Sequence, residues 1–212
     1  MSGRRDQAER DRLITTARAI AARSLTHGST GNVSVRAGAH ILVTPTGSSL
    51  ATVRAEELSV IDADGAHVSG AKPSKEAFLH AAVLRARPDA GAVVHTHSTH
   101  AAAVSCLAEV DRHDVLPPLT AYYAMRVASL PMLPYFAPGD SRMAAAVEEL
   151  ARGHAALLLS NHGPVAAARD LDRALEMAEE IEETAKLHLL LRGARTSPLT
   201  WVQRGALRPV SH

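Results

Sequence analysis

Apolar positions along the 212-residue chain recur with two periods. Over about residues 5–24, Leu13, Ile14, Ala17, Ile20 and Ala21 fall near helical spacing and predict an amphipathic helix. LTHGSTGNVSVR breaks that pattern with Gly28 and Gly31, and its Val33 and Val35 predict a first strand. HILVTPTGSS predicts a second strand that stops at Pro45 and Gly47, and ELSVIDADGAHVSG a hairpin around an Asp-Gly turn. Pro73 precedes a predicted helix over about 74–87, with Phe78, Leu79, Ala82 and Val83 on one face. GAVVHTH reads as a buried strand and 98–109 as a helix of small residues. RHDVLPPLTAYYAM is predicted to be a loop, with short strands near 126–135. SRMAAAVEELARG predicts a helix ending on Gly153, and AALLLSNHGPVAAA two short strands about a turn. A long helix over about 171–192 is capped by Asp170 and closed by Gly193. The basic tail 193–212 has no clear helix signal and is expected to cover a neighbouring subunit or to be loose.

Interleaved helices and strands, with no repeat or low-complexity linker, predict a layered α/β chain of one domain, 1–212, with its core over about 8–192. Apolar residues make up 46% but aromatics only 3%, so packing of small-residue helices is expected rather than an aromatic-rich sandwich. Lys and Arg (23) balance Asp and Glu (22), so no global field marks a nucleic-acid or membrane binder, and anion recognition has to be local. The single cysteine, Cys106 in AAAVSCLAEV, excludes a disulfide framework or multi-cysteine metal cluster and reads as a buried structural thiol. The charged start MSGRRDQAERDR lacks the apolar segment of a signal peptide, and no apolar run approaches a membrane span; a soluble cytoplasmic protein is expected.

Candidate chemistry lies in four places. In His95-Thr96-His97 on a strand, alternate side chains share a face, so two imidazoles can meet one ion. Catalytic zinc usually takes three protein ligands, and His162 in LLLSNHGPV could be the third. Spacing alone leaves polar histidines at a strand end as the other reading, and gives His100 a helix-start or supporting place. In GAKPSKEAF, Ser74 and Lys75 stand at a helix start that attracts anions. Glu76 there is either a favourable charge at a helix dipole or a metal ligand or general acid/base. GSTGNVS and TPTGSS are small polar loops able to cradle a phosphate or simply to turn, and match neither the P-loop nor the dinucleotide pattern. LPPLTAYYAMRV places two of the three tyrosines, Tyr122 and Tyr123, side by side, as polar handles at a site or as one packed and one exposed ring.

The order G-x-x-G-N-V-S, T-P-T-G, P-S-K-E, H-x-H, N-H-G over roughly residues 10–190 resembles the class II aldolase family. That superfamily holds the fuculose-phosphate and ribulose-phosphate aldolases and epimerases and the adducin head. The resemblance implies a three-layer α/β/α sandwich with a mostly antiparallel central sheet, assembled as a homotetramer with sites at subunit interfaces. It implies Zn2+, with Mn2+ or Co2+ as alternatives, on His95, His97 and His162. Glu76 would be the acid/base residue, with a place on the metal when no substrate is bound. Asn32, Thr46, Gly47, Ser74 and Lys75 would grip the substrate phosphate.

Within the superfamily, KPSKEAFLHAAVLRARP, VVHTHSTH, LPPLTAYYAMRV, LPYFAPGD and EEIEETAKL look like the decarboxylases of 3-oxo-tetronate 4-phosphate, which serve four-carbon acid-sugar catabolism. Fuculose-type aldolases usually have P-S-S-E where this chain has Lys75, which adds charge beside the phosphate or reaches the substrate carboxylate. The implied reaction is a metal-dependent carbon–carbon cleavage yielding CO2 and dihydroxyacetone phosphate through a metal-stabilised enediolate, with Tyr122 or Tyr123 near the leaving end. The alternative is a sugar-phosphate aldolase or epimerase on the same site, and a dehydratase of a sulfur-containing ribulose phosphate is a third relative. The adducin head keeps the fold without the metal site, whereas this chain keeps His95, His97, His162 and Glu76.

Overall fold

The computed structural model describes residues 2–137 and 139–207. Pro138, in LPYFAPGD, and residues 208–212 of the tail lie outside the described residues. Helix α1 (Ser2–Ala22) leads into β1 (Asn32–Ala37) and β2 (His40–Val43), then β3 (Ser59–Ile61) and β4 (His67–Ser69). Helix α2 (Ala77–Ala86), β5 (Ala92–His95), α3 (Thr99–Ser105) and α4 (Ala121–Arg126) follow. The chain continues through β6 (Met132–Leu133), α5 (Met143–Ala151), β7 (Ala156–Leu159), β8 (Pro164–Ala168), α6 (Leu171–Leu190) and α7 (Trp201–Ala206). The eight strands form one sheet in the order β4-β3-β2-β1-β5-β8-β7-β6, antiparallel except for the β6–β7 pair.

Strand alternation divides the core into two layers. Val33, Val35, Leu42, Val94 and Leu158 face α1, α3 and α6, while Ile41, Val43, Val93 and Leu157 face α2 and α5. Helices on both faces of the sheet make the α/β/α sandwich. The two central strands β5 and β8 are rich in alanine and valine, small enough for α6 to lie close against them. Among the described residues no helix is long and apolar enough to cross a membrane.

Several boundaries depart from the sequence reading. The helix expected over 98–109 ends at Ser105, because the Ser105 carbonyl that residue 109 would use accepts the Asn161 amide at 3.1 Å instead. The following turn tightens, with Cys106 and Leu107 donating three residues back. Cys106 there is exposed rather than buried. The predicted loop holds α4, whose start is capped by the Thr120 hydroxyl accepting from the Tyr123 amide at 3.1 Å. The strands expected near 126–135 shrink to Met132–Leu133, between Pro131 and Pro134, neither of which can donate to a ladder.

Within the tail, where no helix is expected, α7 is held by a reciprocal Thr200–Gln203 capping box. The tail packs on its own chain: Leu199 donates to the Pro118 carbonyl at 2.9 Å, and Arg204 to that of Ala128 at 2.6 Å.

Candidate metal centre

The antiparallel β1–β5 pairing sets Asn32 directly opposite His95, at the same end of the sheet. Both side chains face α2, because opposed residues share a face. Strand β5 ends at His95, and His97 follows in the irregular segment before α3. His162 comes from the tight turn between β7 and β8. There Asn161 adopts a left-handed φ of 55°, and the His162 amide donates to the Ser105 hydroxyl at 3.1 Å. Gly163 is required next: a Cβ would stand 2.2 Å from the Thr96 carbonyl oxygen, inside any tolerated contact. Gly31 is similarly pressed, at φ 76° and with the His95 carbonyl 3.0 Å from where its Cβ would lie. Glycines in G-x-x-G-N and N-H-G thus let three separate segments close on the end of β5.

These segments bring Glu76, His95, His97 and His162 together, with one candidate ligand atom from each within 4.8 Å of all the others. The Nε2 atoms of His95 and His97 lie 3.3 and 3.0 Å from that of His162. Glu76 places Oε2 3.4 Å from His95 Nε2 and Oε1 3.2 Å from His162 Nε2. Ligands on an ion with bonds of about 2.0–2.1 Å stand roughly 3.3–3.4 Å apart in a tetrahedron, so these separations fit one small cation. His95 Nδ1 hydrogen-bonds the Pro164 carbonyl at 2.9 Å, which requires a proton on Nδ1 and leaves Nε2 with its lone pair turned inward. Imidazole lone pairs converging beside a carboxylate repel one another until a cation stands between them.

Burial holds the His95 and His97 imidazoles neutral, as ligands must be. It pushes His97 down to about 3, aided by the neighbouring His95 and His162 and opposed by Glu76, and it lowers His95 as well. Burial acts to raise the Glu76 carboxyl, but His95, His162 and the Asn32 amide outweigh it and hold the group well below the usual carboxylate range.

Beside this centre, Asn32 Nδ2 donates to Glu76 Oε2 at 2.8 Å and to the Ser74 hydroxyl at 3.1 Å. Ser74 and Lys75 lie in the turn before α2, not within the helix, and Glu76 occupies its cap position. The T-P-T-G loop runs alongside: Pro45 bridges Pro73, the Thr46 amide donates to the Lys72 carbonyl at 3.0 Å, and Gly47 turns with φ 73°. Thr46, Gly47, Ser74 and Asn32 are thereby gathered on one side of the histidines, with exposed Lys75 at the rim next to Gly139.

Tyr122 and Tyr123 stand elsewhere. Tyr122 is 61% exposed and lines a cleft of about 540 Å³ with Arg87, Asp89 and Ala168. Ala168 pairs with Ala92. Tyr122 thus sits at the end of β5 opposite His95, about 10 Å along the strand. Tyr123 is wholly buried in the core, and its hydroxyl has no partner among the described residues. His100 lies at the start of α3, where its ring bonds Glu182 at 2.7 Å. Glu182 also accepts the amides of His100 at 3.0 Å and Ala101 at 2.9 Å, capping α3 from a different helix.

Two groups escaped the sequence reading. His80, one turn after Glu76, is fully buried and contacts Asn32, and Ser34, two residues after Asn32, contacts His80 in turn. The i, i+4 and i, i+2 spacings were the available signals, but helical and strand periodicity mark a face without saying what it meets.

A sandwich that gathers three imidazoles and one carboxylate at the end of its central strand is built to hold a divalent metal. Residues 11–189 match the model of the Class II Aldolase and Adducin N-terminal domain, and the chain belongs to that family. It is 42% identical over 196 residues to the 3-oxo-tetronate 4-phosphate decarboxylase of Haemophilus influenzae, covering 92% of this chain and 93% of that protein. Against the L-fuculose phosphate aldolase of the same organism it is 34% identical over 184 residues, covering 85% and 82%. The crystal structure of YgbL from Klebsiella pneumoniae superposes with a TM-score of 0.92 at 39% identity, covering 96% of this chain and 99% of that one.

Proposed function

We propose that the protein decarboxylates 3-oxo-tetronate 4-phosphate to dihydroxyacetone phosphate and CO2. The observation that carries this reading is the convergence of His95, His97, His162 and Glu76 beside the Asn32–Ser74 pair. Similarity along nearly the whole chain to a decarboxylase of that substrate selects it among the family's reactions. The second reading, a sugar-phosphate aldolase or epimerase, is favoured by the 34% identity to the fuculose-phosphate aldolase.

In this reading His95, His97 and His162 hold Zn2+, with Mn2+ or Co2+ as alternatives, since imidazole suits all three. Held there, such an ion would supply Lewis acidity to the substrate oxygens, favouring the negative charge that grows on them as the carbon–carbon bond breaks. Thr46, Gly47 and Ser74 offer N–H and hydroxyl donors to the phosphate, Asn32 backs them by donating to the Ser74 hydroxyl, and Lys75 adds a positive charge to the phosphate or to the substrate carboxylate. The C1–C2 bond breaks with its electrons passing to C2, CO2 leaves, and one proton must be added at C2. Glu76, a carboxylate in the resting site, accepts the C2 hydroxyl proton and returns it to carbon, and solvent restores the hydroxyl. A retro-aldol cleavage leaves the same enediolate but expels an aldehyde, so the two readings share these residues.

We place the enzyme in the cytoplasm as one catalytic domain that assembles into a homotetramer. There the exposed Tyr122 of one copy serves the leaving end of a neighbour's site, since it lies far from its own histidines. Tyr123 supports that ring from the core beneath it.

The test is incubation of the zinc-loaded protein with each stereoisomer of 3-oxo-tetronate 4-phosphate. The decarboxylase reading expects CO2 and dihydroxyacetone phosphate in equal amounts from one stereoisomer. Aldehyde release from a ketose phosphate, with no CO2 from either stereoisomer, would support the aldolase reading instead.

A further inference from the structure

On the α2 face of the sheet, packed among Ile41, Val43, Val93, Leu79 and Val83, lie the fully buried polar side chains Ser34 and His80. They form one connected path. Ser34 Oγ lies 2.7 Å from His80 Nδ1, His80 Nε2 contacts Asn32 Oδ1, and Asn32 Nδ2 reaches Glu76 Oε2 at 2.8 Å.

The chemistry of each group fixes where the protons are. The Glu76 carboxylate and the Ser74 hydroxyl both call for an N–H, so the Asn32 amide nitrogen faces them and its oxygen faces His80. An amide oxygen only accepts, so His80 Nε2 must carry the hydrogen. A neutral ring then leaves Nδ1 as acceptor, and Ser34 donates its O–H to it. A reversed Asn32 amide would set its oxygen against the carboxylate and its N–H against the His80 N–H. One arrangement satisfies every group, and among the described residues its outlet toward the metal centre is Glu76.

We propose that His80, whose Nδ1 accepts from Ser34, is a positioning residue that as the Nε2–H tautomer orients the Asn32 amide and through it the Glu76 carboxylate. This rests on the reading above in that Glu76 moves the proton. Burying a histidine in an aliphatic layer is unfavourable unless its ring is satisfied, and two aliphatic side chains would fill the same space at no polar cost. The pair therefore does more than fill volume: it denies Asn32 its second orientation.

The test uses the metal-loaded full chain and three variants. His80→Phe removes the donor and keeps an aromatic ring, His80→Gln keeps an N–H at the reach of Nε2, and Ser34→Ala removes the anchoring hydroxyl. Expected for His80→Phe is a fall in kcat of about 10–100-fold, the size typical of losing a supporting partner, with KM within about threefold and metal content unchanged. His80→Gln is expected to recover most of that loss. If His80→Phe misfolds, Ser34→Ala decides, with an expected kcat loss of several-fold on an intact fold.

Independently of turnover, imidazole nitrogen NMR should show a neutral Nε2–H tautomer that disappears in His80→Gln and whose Nδ1 resonance shifts in Ser34→Ala, where its hydroxyl donor is gone. An Nδ1–H tautomer, or an His80→Gln variant as impaired as His80→Phe, would overturn the proposal. So would kcat unchanged in both His80→Phe and Ser34→Ala. Glu76→Gln assayed alongside separates the two claims. If Glu76→Gln turns over like the parent, the proton role of Glu76 fails. If Glu76→Gln is inert while the His80 and Ser34 variants match the parent, only the relay fails.

Discussion

Asn32 and His95 face each other across the β1–β5 ladder, so the metal centre and the Asn32–Ser74 pair proposed to hold the phosphate share one rigid piece of sheet. Helix α2 then supplies Glu76 between them, and the β7–β8 turn brings His162 across. Strand pairing fixes Asn32 opposite His95, while Glu76 comes from a helix cap and His162 from a tight turn, both anchored on that sheet.

His162→Ala leaves two imidazoles and Glu76 at the centre. Metal affinity is expected to drop by at least about 100-fold, since even supporting residues are worth 10–100-fold. Elemental analysis after dialysis at micromolar metal reads this directly. A variant that keeps one metal per chain would remove His162 from the ligand set.

Chelation should lower thermal stability without unfolding the chain, because the sandwich has two apolar layers of its own. Metal at 100 times its dissociation constant adds about 2.7 kcal/mol. For a chain of this length that is a Tm difference of roughly 5–10 °C, visible by calorimetry with and without chelator. An unchanged Tm in metal-loaded protein would contradict a folded-state site.

Glu76→Gln keeps the shape and the Asn32 contact on one side but removes the proton-carrying carboxylate. A fall in kcat of about 10²–10⁴ is expected, with metal still bound by the three histidines. Steady-state kinetics on protein of verified metal content checks it.

His80 gives the acid limb of stability a measurable component. Burial, with a smaller contribution from His95 and against Glu76, pushes its pKa down to about 3 from an ordinary value near 6.5. Below that ordinary value the unfolded chain takes up the proton first, so the stabilising contribution is whole above about pH 6.5 and is lost as pH falls toward 3. The slope is about 1.4 kcal/mol per pH unit for one such group. Urea melts of metal-free parent and His80→Gln between pH 4 and 7 should show the shallower dependence in the variant; equal slopes would contradict a neutral buried ring.

Much of this was legible in the chain because the chemistry sits at short spacings. Alternation placed His95 and His97 together, and the glycines flanking Asn32 and His162 marked the tight turns that the closeness of Thr96 and His95 explains. The order of five motifs supplied the sandwich. What the chain concealed depends on partners far away in sequence. Ser34 and His80 look like ordinary strand and helix positions until the sheet brings them within 2.7 Å. Glu182 looks like one more acidic residue in EEIEETAKL until it accepts two amides of α3. Helix α4 was hidden by the prolines before it, and its cap Thr120 is recognisable only once Tyr123 turns back. The tyrosine pair shows the opposite limit: its adjacency in sequence splits, in the fold, into one exposed ring and one core ring.

The most direct measurement of the central claim is the ratio of kcat/KM for 3-oxo-tetronate 4-phosphate to that for L-fuculose 1-phosphate, on one zinc-loaded preparation. The account predicts a ratio well above one, with CO2 and dihydroxyacetone phosphate as the products and both activities lost on chelation. A ratio below one, with lactaldehyde released and no CO2 formed, would contradict it.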